Sequence, residues 1–230
     1  MLKFKKLVVV SLLTLSTTLS AITEGVEYTK LKGNEIIKGA DDKIIELFSY
    51  ACIHCYNHFK IGTLKFVSEF LPEFKYEEWQ VKQMGEFGYQ IAEILAYAKM
   101  IDEKNFINNS LNEKSAYHQV MKAYFEEYFK YRQRWGTQEA FYEVGANAIK
   151  EATKTDVSVQ DILDYADSEK GKSFVKRFDD GLAIAKISGT PAFVVKGKYL
   201  VNLEKVNSQE ELVEIIKALV KLIEIIFIII

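Results

Sequence analysis

The spacing of apolar residues along this chain changes twice. Ile44, Ile45, Leu47, Phe48 and Tyr50 form a nearly continuous apolar run after Ala40-Asp41-Asp42. Such a run fits a strand covered on both faces of a sheet, so residues Lys43 to Tyr50 are predicted as a central strand. Val26 to Leu31 is predicted as a short edge strand before it. From Cys52 to Phe70 the apolar positions Phe59, Leu64, Phe66, Val67 and Phe70 fall at three- and four-residue spacings, which predicts one helix ended by Leu71-Pro72. Phe74 to Val81 is predicted as a further strand.

Between residues 87 and 187 the pattern becomes helical throughout, and no proline interrupts it. Ile91, Ile94, Leu95, Ala98 and Met100 make one helical face. Tyr117, Val120, Met121, Tyr124, Phe125, Tyr128 and Phe129 make another, and Phe141, Val144, Ala148 and Ile149 a third. Thr137 and the segment Ser158-Val159-Gln160-Asp161 have the chemistry of helix N-caps. After Gly189-Thr190-Pro191 short strands return at Ala192 to Val195 and Tyr199 to Leu203, joined by Lys196-Gly197-Lys198 as a hairpin. A last amphipathic helix opens at Ser208. A sheet unit that starts before the helical block and ends after it makes the block an insertion. The expected layout is residues 22–86 and 188–230 for the sheet domain and 87–187 for the helical one.

The chain has 230 residues, 49% of them hydrophobic and 27% charged, which excludes a disordered protein. Net charge is −2, with the signs interspersed, so no nucleic-acid partner is expected. Lys3, Lys5 and Lys6 precede an apolar run from Leu7 to Leu19, and Leu19-Ser20-Ala21 offers a cleavage site. The run is too short to span a bilayer, so residues 1–21 are expected to be a secretory signal peptide and the mature protein periplasmic. The C-terminal residues 225–230 are uncharged and apolar, too few to cross a membrane, and are expected to pack on the sheet.

Export changes how the two cysteines are understood. They stand as Cys52-Ile53-His54-Cys55, where the central strand runs into a helix. A bridge closing so small a loop stabilises little, so the pair points to thiol–disulfide chemistry rather than to a structural bridge. At a helix N-terminus Cys52 would meet unpaired N–H groups and the positive end of the helix dipole, and His54 adds a neighbour that can bear charge. Both favour the nucleophilic thiolate of Cys52, leaving Cys55 as the more buried resolving thiol. A haem site would need histidine directly after the second cysteine, where Tyr56 stands. A zinc site built on Cys52, Cys55 and His58 lacks a fourth ligand other than the distant His118. Both histidines are expected to be ordinary helix residues, His58 facing solvent. Glu46, an acid inside the buried strand, has two readings. It either lies beneath the cysteines as a proton partner for Cys55, or reaches the sheet edge to pair with Lys43.

Cys-Xaa-His-Cys-Tyr after a strand with an embedded glutamate, a helical insertion, Gly-Thr-Pro-Ala-Phe-Val-Val-Lys-Gly-Lys-Tyr, and Val81-Lys82-Gln83-Met84-Gly85 after the third strand resemble the DsbA family of thioredoxin-fold oxidoreductases. The resemblance implies an α/β fold, a mixed central sheet flanked by helices, with an inserted all-helical domain. It implies that Cys52 is the nucleophile, Cys55 its buried disulfide partner, His54 the residue tuning the thiolate and Glu46 the buried acid. Thr190 and a cis Pro191 would face the cysteines and, with Ile53, meet the substrate. The implied function is an exported thiol:disulfide oxidoreductase that introduces disulfides into folding proteins and is reoxidised by a DsbB-type, quinone-linked membrane partner. No bound cofactor beyond the redox-active disulfide is implied. Ile53 stands where the best-known members have proline, Thr190 where strong oxidants have valine, and Glu78 where some carry a lysine near the buried acid. These departures bear on the redox potential, and an isomerase or reductase of the same fold is the alternative. No dimerisation segment precedes the first strand, so a monomer is expected. A non-catalytic peptide-binding chaperone module, using the aromatic surface, is the third possibility.

Overall fold

The computed structural model describes residues 22–228, with side chains through residue 222. The expected signal peptide at residues 1–21 lies outside them, as do the side chains of the C-terminal residues 225–230. Five strands form one mixed sheet, β1 (Tyr28–Lys30), β2 (Lys43–Phe48), β3 (Lys75–Gln80), β4 (Ala192–Val195) and β5 (Tyr199–Val201), in the order β1-β5-β4-β2-β3. β2 runs parallel to β3 and antiparallel to β4, so the apolar run is indeed the central strand. The segment from Tyr199 stops being a strand at Val201, because Asn202 turns to cap a short 3-10 turn at Leu203–Lys205.

The expected helix from Cys52 to Phe70 is two helices, α1 (Ile53–Ile61) and α2 (Thr63–Phe70). Gly62 separates them in the left-handed region, at φ 65°, where its N–H still closes on Phe59 and His58 carbonyls. Glycine is the residue that ends a helix this way without a Cβ penalty. The helical block comprises α3 (Gly88–Lys104), α4 (Ala116–Phe125, continued as a π turn through Lys130), α5 (Gln138–Thr153), α6 (Val159–Asp167), α7 (Glu169–Arg177) and α8 (Gly181–Ser188). Thr137 caps α5 by accepting from Ala140 N–H, and Ser158 with Asp161 closes the capping box of α6. Buried Asp102 of α3 accepts from Ser115 Oγ and from the backbone N–H groups of Ala116 and Tyr117, fixing the start of α4. α9 (Gln209–Ile228) closes the chain.

Period-two alternation sorts the strands onto two faces. Ile45, Leu47, Ala192 and Val194 join one continuous core with Ile91, Ile94, Tyr124 and Phe141 of the helical block. Ile44, Phe193 and Val195 face the other way, against Leu64 and Val67 of α2 and Ile215, Ile216 and Leu219 of α9. α8 lies against the first face, with Gly181 over Leu47 and Val81. The helical block is therefore fused to the sheet through a shared core, which leaves α1 with its N-terminus at the end of β2.

Candidate functional site

Cys52 is the N-cap of α1. Its backbone is extended (φ −98°, ψ 117°), and its sulfur accepts from the N–H of Cys55 at 3.4 Å. The Thr190–Pro191 peptide is cis, and the Thr190 carbonyl lies 3.1 Å from Cys52 Sγ across the mouth of the site. A carbonyl there can only accept from the protonated thiol. The thiolate is favoured by more partners: the Cys55 thiol first, then the Thr190 hydroxyl and the backbone N–H groups of Cys55 and His54. Together they outweigh partial burial and lower the Cys52 pKa to about 5. Cys55 goes the other way. Burial and its bond to Cys52 push its thiol far above the ordinary range. One cysteine of the pair is thus a ready nucleophile and the other holds its proton. His54 is exposed, and it is its backbone N–H that bears on Cys52. Ile53 stands beside it, 47% exposed.

Below the cysteines the turn Ser49-Tyr50-Ala51 is held by a polar frame. Ser49 Oγ donates to Met84 O at 3.3 Å, and Tyr50 N–H donates to Gln80 Oε1 at 3.0 Å. Gln80 Nε2 returns to the carbonyls of Val81 (2.8 Å) and Met84 (3.0 Å), while Tyr50 OH accepts from Phe87 N–H. The loop 81–87 is bound to the cysteine turn by these contacts, and Met84 Sδ reaches Thr190 Oγ1 at 4.0 Å. Gly85 (φ 84°) makes the approach possible, since a Cβ there would stand 2.6 Å from the Tyr50 ring. Gln80 and Tyr50 were not singled out from the sequence. Their signal, a buried amide at a strand end, appears only once the loop folds back.

Glu46 is buried beneath this site, and its register partner on β3 is Glu78, also buried. Neighbouring residues in register share a face, so the two carboxyls sit side by side. Burial, then the Glu78 charge, then the Cys52 charge push the Glu46 pKa well above the usual carboxylate range. Burial raises Glu78 to about 7, against the pull of Ser110 Oγ, which donates to its Oε2 at 3.1 Å. Lys43 does not pair with Glu46. Its ammonium is 2.7 Å from Glu77 on the opposite face, so the sheet-edge reading of Glu46 fails on the alternation of the strand.

His58 corrects a second expectation. It faces inward, with Nδ1 buried and without a hydrogen-bond partner among the described residues, 4.0 Å from Glu46 Oε1 and with its ring against Phe193. Burial holds its pKa below the ordinary value. His118, expected as an ordinary helix residue, is half-buried on α4, its ring 4.8 Å from that of Phe59 and its Nδ1 without a hydrogen-bond partner among the described residues. Among the described residues no group of three or more histidine, cysteine or acidic side chains is placed to hold a metal ion.

No protein-family model matches the chain. It is 30% identical over 226 residues to the thiol:disulfide interchange protein DsbL of Escherichia coli, covering 94% of this chain and 95% of that protein. The DsbL of Lelliottia amnigena is 28% identical over 225 residues, with the same coverage. Among solved structures, Salmonella enterica serovar Typhimurium DsbL matches with a TM-score of 0.78 at 27% identity, over 87% of this chain and 98% of that one. The disulfide oxidoreductase DsbA of Proteus mirabilis shares the fold, with a TM-score of 0.64 at 22% identity, over 89% and 98%.

Proposed function

Because the chain belongs to the DsbA family of thiol:disulfide oxidoreductases, we propose that its exchange runs in the oxidising direction, donating the Cys52–Cys55 disulfide to folding exported proteins. The observation that carries this is Cys52 at the N-cap of α1, its sulfur accepting from Cys55 N–H, a setting that holds its pKa down to about 5. A stabilised thiolate stabilises the reduced protein, so the disulfide is released readily to a substrate. A substrate thiolate attacks Cys52 Sγ and breaks the Cys52–Cys55 bond, and Cys55 leaves with the electron pair and takes up a proton. A second substrate thiolate then attacks the substrate sulfur of the mixed disulfide and expels Cys52 as thiolate. The substrate loses two electrons and the enzyme gains them.

In this reading Glu46 supplies the proton to Cys55. The Thr190 backbone beside the cis-proline pairs with an extended substrate segment, and Ile53 gives it an apolar contact. In this reading the reaction needs no bound cofactor, only a reoxidant, for which the family resemblance implies a quinone-linked membrane protein of the DsbB type. No helix of the described residues is long and apolar enough to cross a membrane. Periplasmic residence therefore rests on the leader-like pattern of residues 1–21, and the monomeric state on the sequence alone.

The test is the Cys52 pKa, followed by thiolate absorbance, together with the equilibrium of the pair against glutathione. A midpoint near 5 and a disulfide more oxidising than glutathione are expected. An ordinary thiol pKa with a potential at or below that of thioredoxin would instead indicate a reductase. If Cys52→Ser still rescued disulfide-dependent folding, the chaperone reading would replace both.

A further inference from the structure

Gln80 is fully buried at the end of β3, and its side-chain amide joins two segments of the site. The oxygen accepts from Tyr50 N–H at 3.0 Å, in the turn that leads into the cysteines. The nitrogen donates to Met84 O at 3.0 Å, in the loop 81–87. Ser49, also buried, donates to the same Met84 carbonyl at 3.3 Å. Two buried donors, from the ends of β2 and β3, thus converge on one backbone atom. The contacts then run on past Met84. Its Sδ lies 4.0 Å from Thr190 Oγ1, and the Thr190 carbonyl lies 3.1 Å from Cys52 Sγ. On the near side the Ser49 backbone bears on the Cys55 sulfur. The two cysteines are therefore enclosed in a ring of contacts that passes through Ser49, Gln80, Met84 and Thr190.

We infer that Gln80 and Ser49 are positioning residues that set the gap between Cys52 and Thr190, and through it the redox poise of the cysteine pair. The inference rests on the exchange reaction set out above. Neither residue touches Cys52 with its side chain. Each fixes the Met84 carbonyl, Met84 stands against the Thr190 hydroxyl, and that hydroxyl is among the partners that favour the Cys52 thiolate. The reduced form carries the thiolate and the disulfide does not, so a wider gap costs the reduced form more and makes the disulfide a weaker oxidant.

A buried amide at a strand end also has a plain structural role, the pairing of nearby backbone groups. Gln80 fills it too, by donating to Val81 O at 2.8 Å. That role is the same in both redox forms, so it changes stability without changing the potential. The neighbours of the loop do not replace the ring. Buried Lys82 pairs with Asp179 ahead of α8, and Phe87 N–H donates to Tyr50 OH, so these hold the two ends of the loop while Gln80 and Ser49 hold its middle.

The test uses the full protein. The Cys52 pKa is followed by thiolate absorbance and the potential by equilibrium with glutathione, with the unfolding of the reduced and oxidised forms measured alongside. Gln80→Met keeps the length of the side chain and removes its hydrogen bonds. It should raise the Cys52 pKa by about one unit and weaken the disulfide as an oxidant roughly tenfold. Ser49→Ala removes one donor and leaves Gln80 in place. It should act in the same direction, by about half a unit and roughly threefold. Both should lower the stability of the reduced form more than that of the oxidised form. Ser115→Ala removes a buried hydrogen bond in the helical block, to Asp102, and should lower the stability of both forms equally with the potential unchanged. If Gln80→Met does not fold, Ser49→Ala decides. If the folded variants titrate within about 0.2 pH units of the wild type and share its glutathione equilibrium, the frame is structural only and the inference is overturned while the exchange reading stands. A shift to lower pH overturns it as well. If the wild type itself exchanges no disulfide with glutathione, both fall.

Discussion

The two faces of β2 meet different chemistry. Ile45 and Leu47 point into a core that is apolar from the sheet through the helical block, where Phe141 is packed within 4.4–5.3 Å of the rings of Tyr50, Phe87, Tyr124 and Trp135. One position along, Glu46 points the other way, toward Glu78, His58 and an open groove. The dry face fixes where the cysteine turn stands, because close-packed interiors tolerate little displacement. The acids on its side are already engaged, Glu77 by Lys43 and Asp102 by Ser115 and the start of α4. The other face gives up some stability to keep two acids and an imidazole beneath the cysteines. Placement and proton chemistry thus sit on opposite sides of one strand.

The comparison breaks most visibly on the dry side. Phe141→Ala should cost about 3–5 kcal/mol of unfolding free energy, read by denaturant titration. A loss under about 1 kcal/mol would mean that the aromatic cluster does not hold the turn. On the groove side the sign is reversed. The Glu78 carboxyl titrates near 4.5 when unfolded and at about 7 when folded. Its raised pKa makes its contribution fully present below 4.5 and lost as pH rises to about 7, and the raised pKa of Glu46 acts in the same sense. Unfolding measured across that window should show a declining slope, and Glu78→Gln should flatten it and gain roughly 1–3 kcal/mol near pH 8. The smallest stability effect is expected at Ile53, which lies on neither face. Ile53→Ser should change stability by less than about 0.5 kcal/mol. It should nevertheless slow exchange with peptide thiols roughly fivefold, the weight of about 1 kcal/mol of apolar contact, while leaving a small monothiol unaffected.

Much of this was legible in the residues. The apolar run of β2, the return of strands after Thr190-Pro191 and the caps at Thr137 and Ser158 are local patterns, and each appears where the spacing places it. The junction of Cys52 with α1 follows from the same local logic. What was hidden depends on contacts between distant segments. Gly62 sits inside an otherwise helical pattern, and its left-handed conformation is set by how α2 must turn to reach α9. His58 was misjudged because helical periodicity does not reveal that α4 and the sheet close around α1. The preference of Lys43 for Glu77 over Glu46 depends on which face each residue takes in the β2–β3 register.

The sulfur of Cys52 is also the cap of α1. A capping group that is an anion in one redox state and a bridged, uncharged atom in the other makes the first turn of that helix an electrometer for its own chemistry. In the reduced form the thiolate meets the Cys55 N–H and the positive end of the helix dipole together, and in the disulfide that anionic cap is replaced by a neutral bridge. The atom that a substrate attacks is therefore also the one that sets the charge at the head of α1.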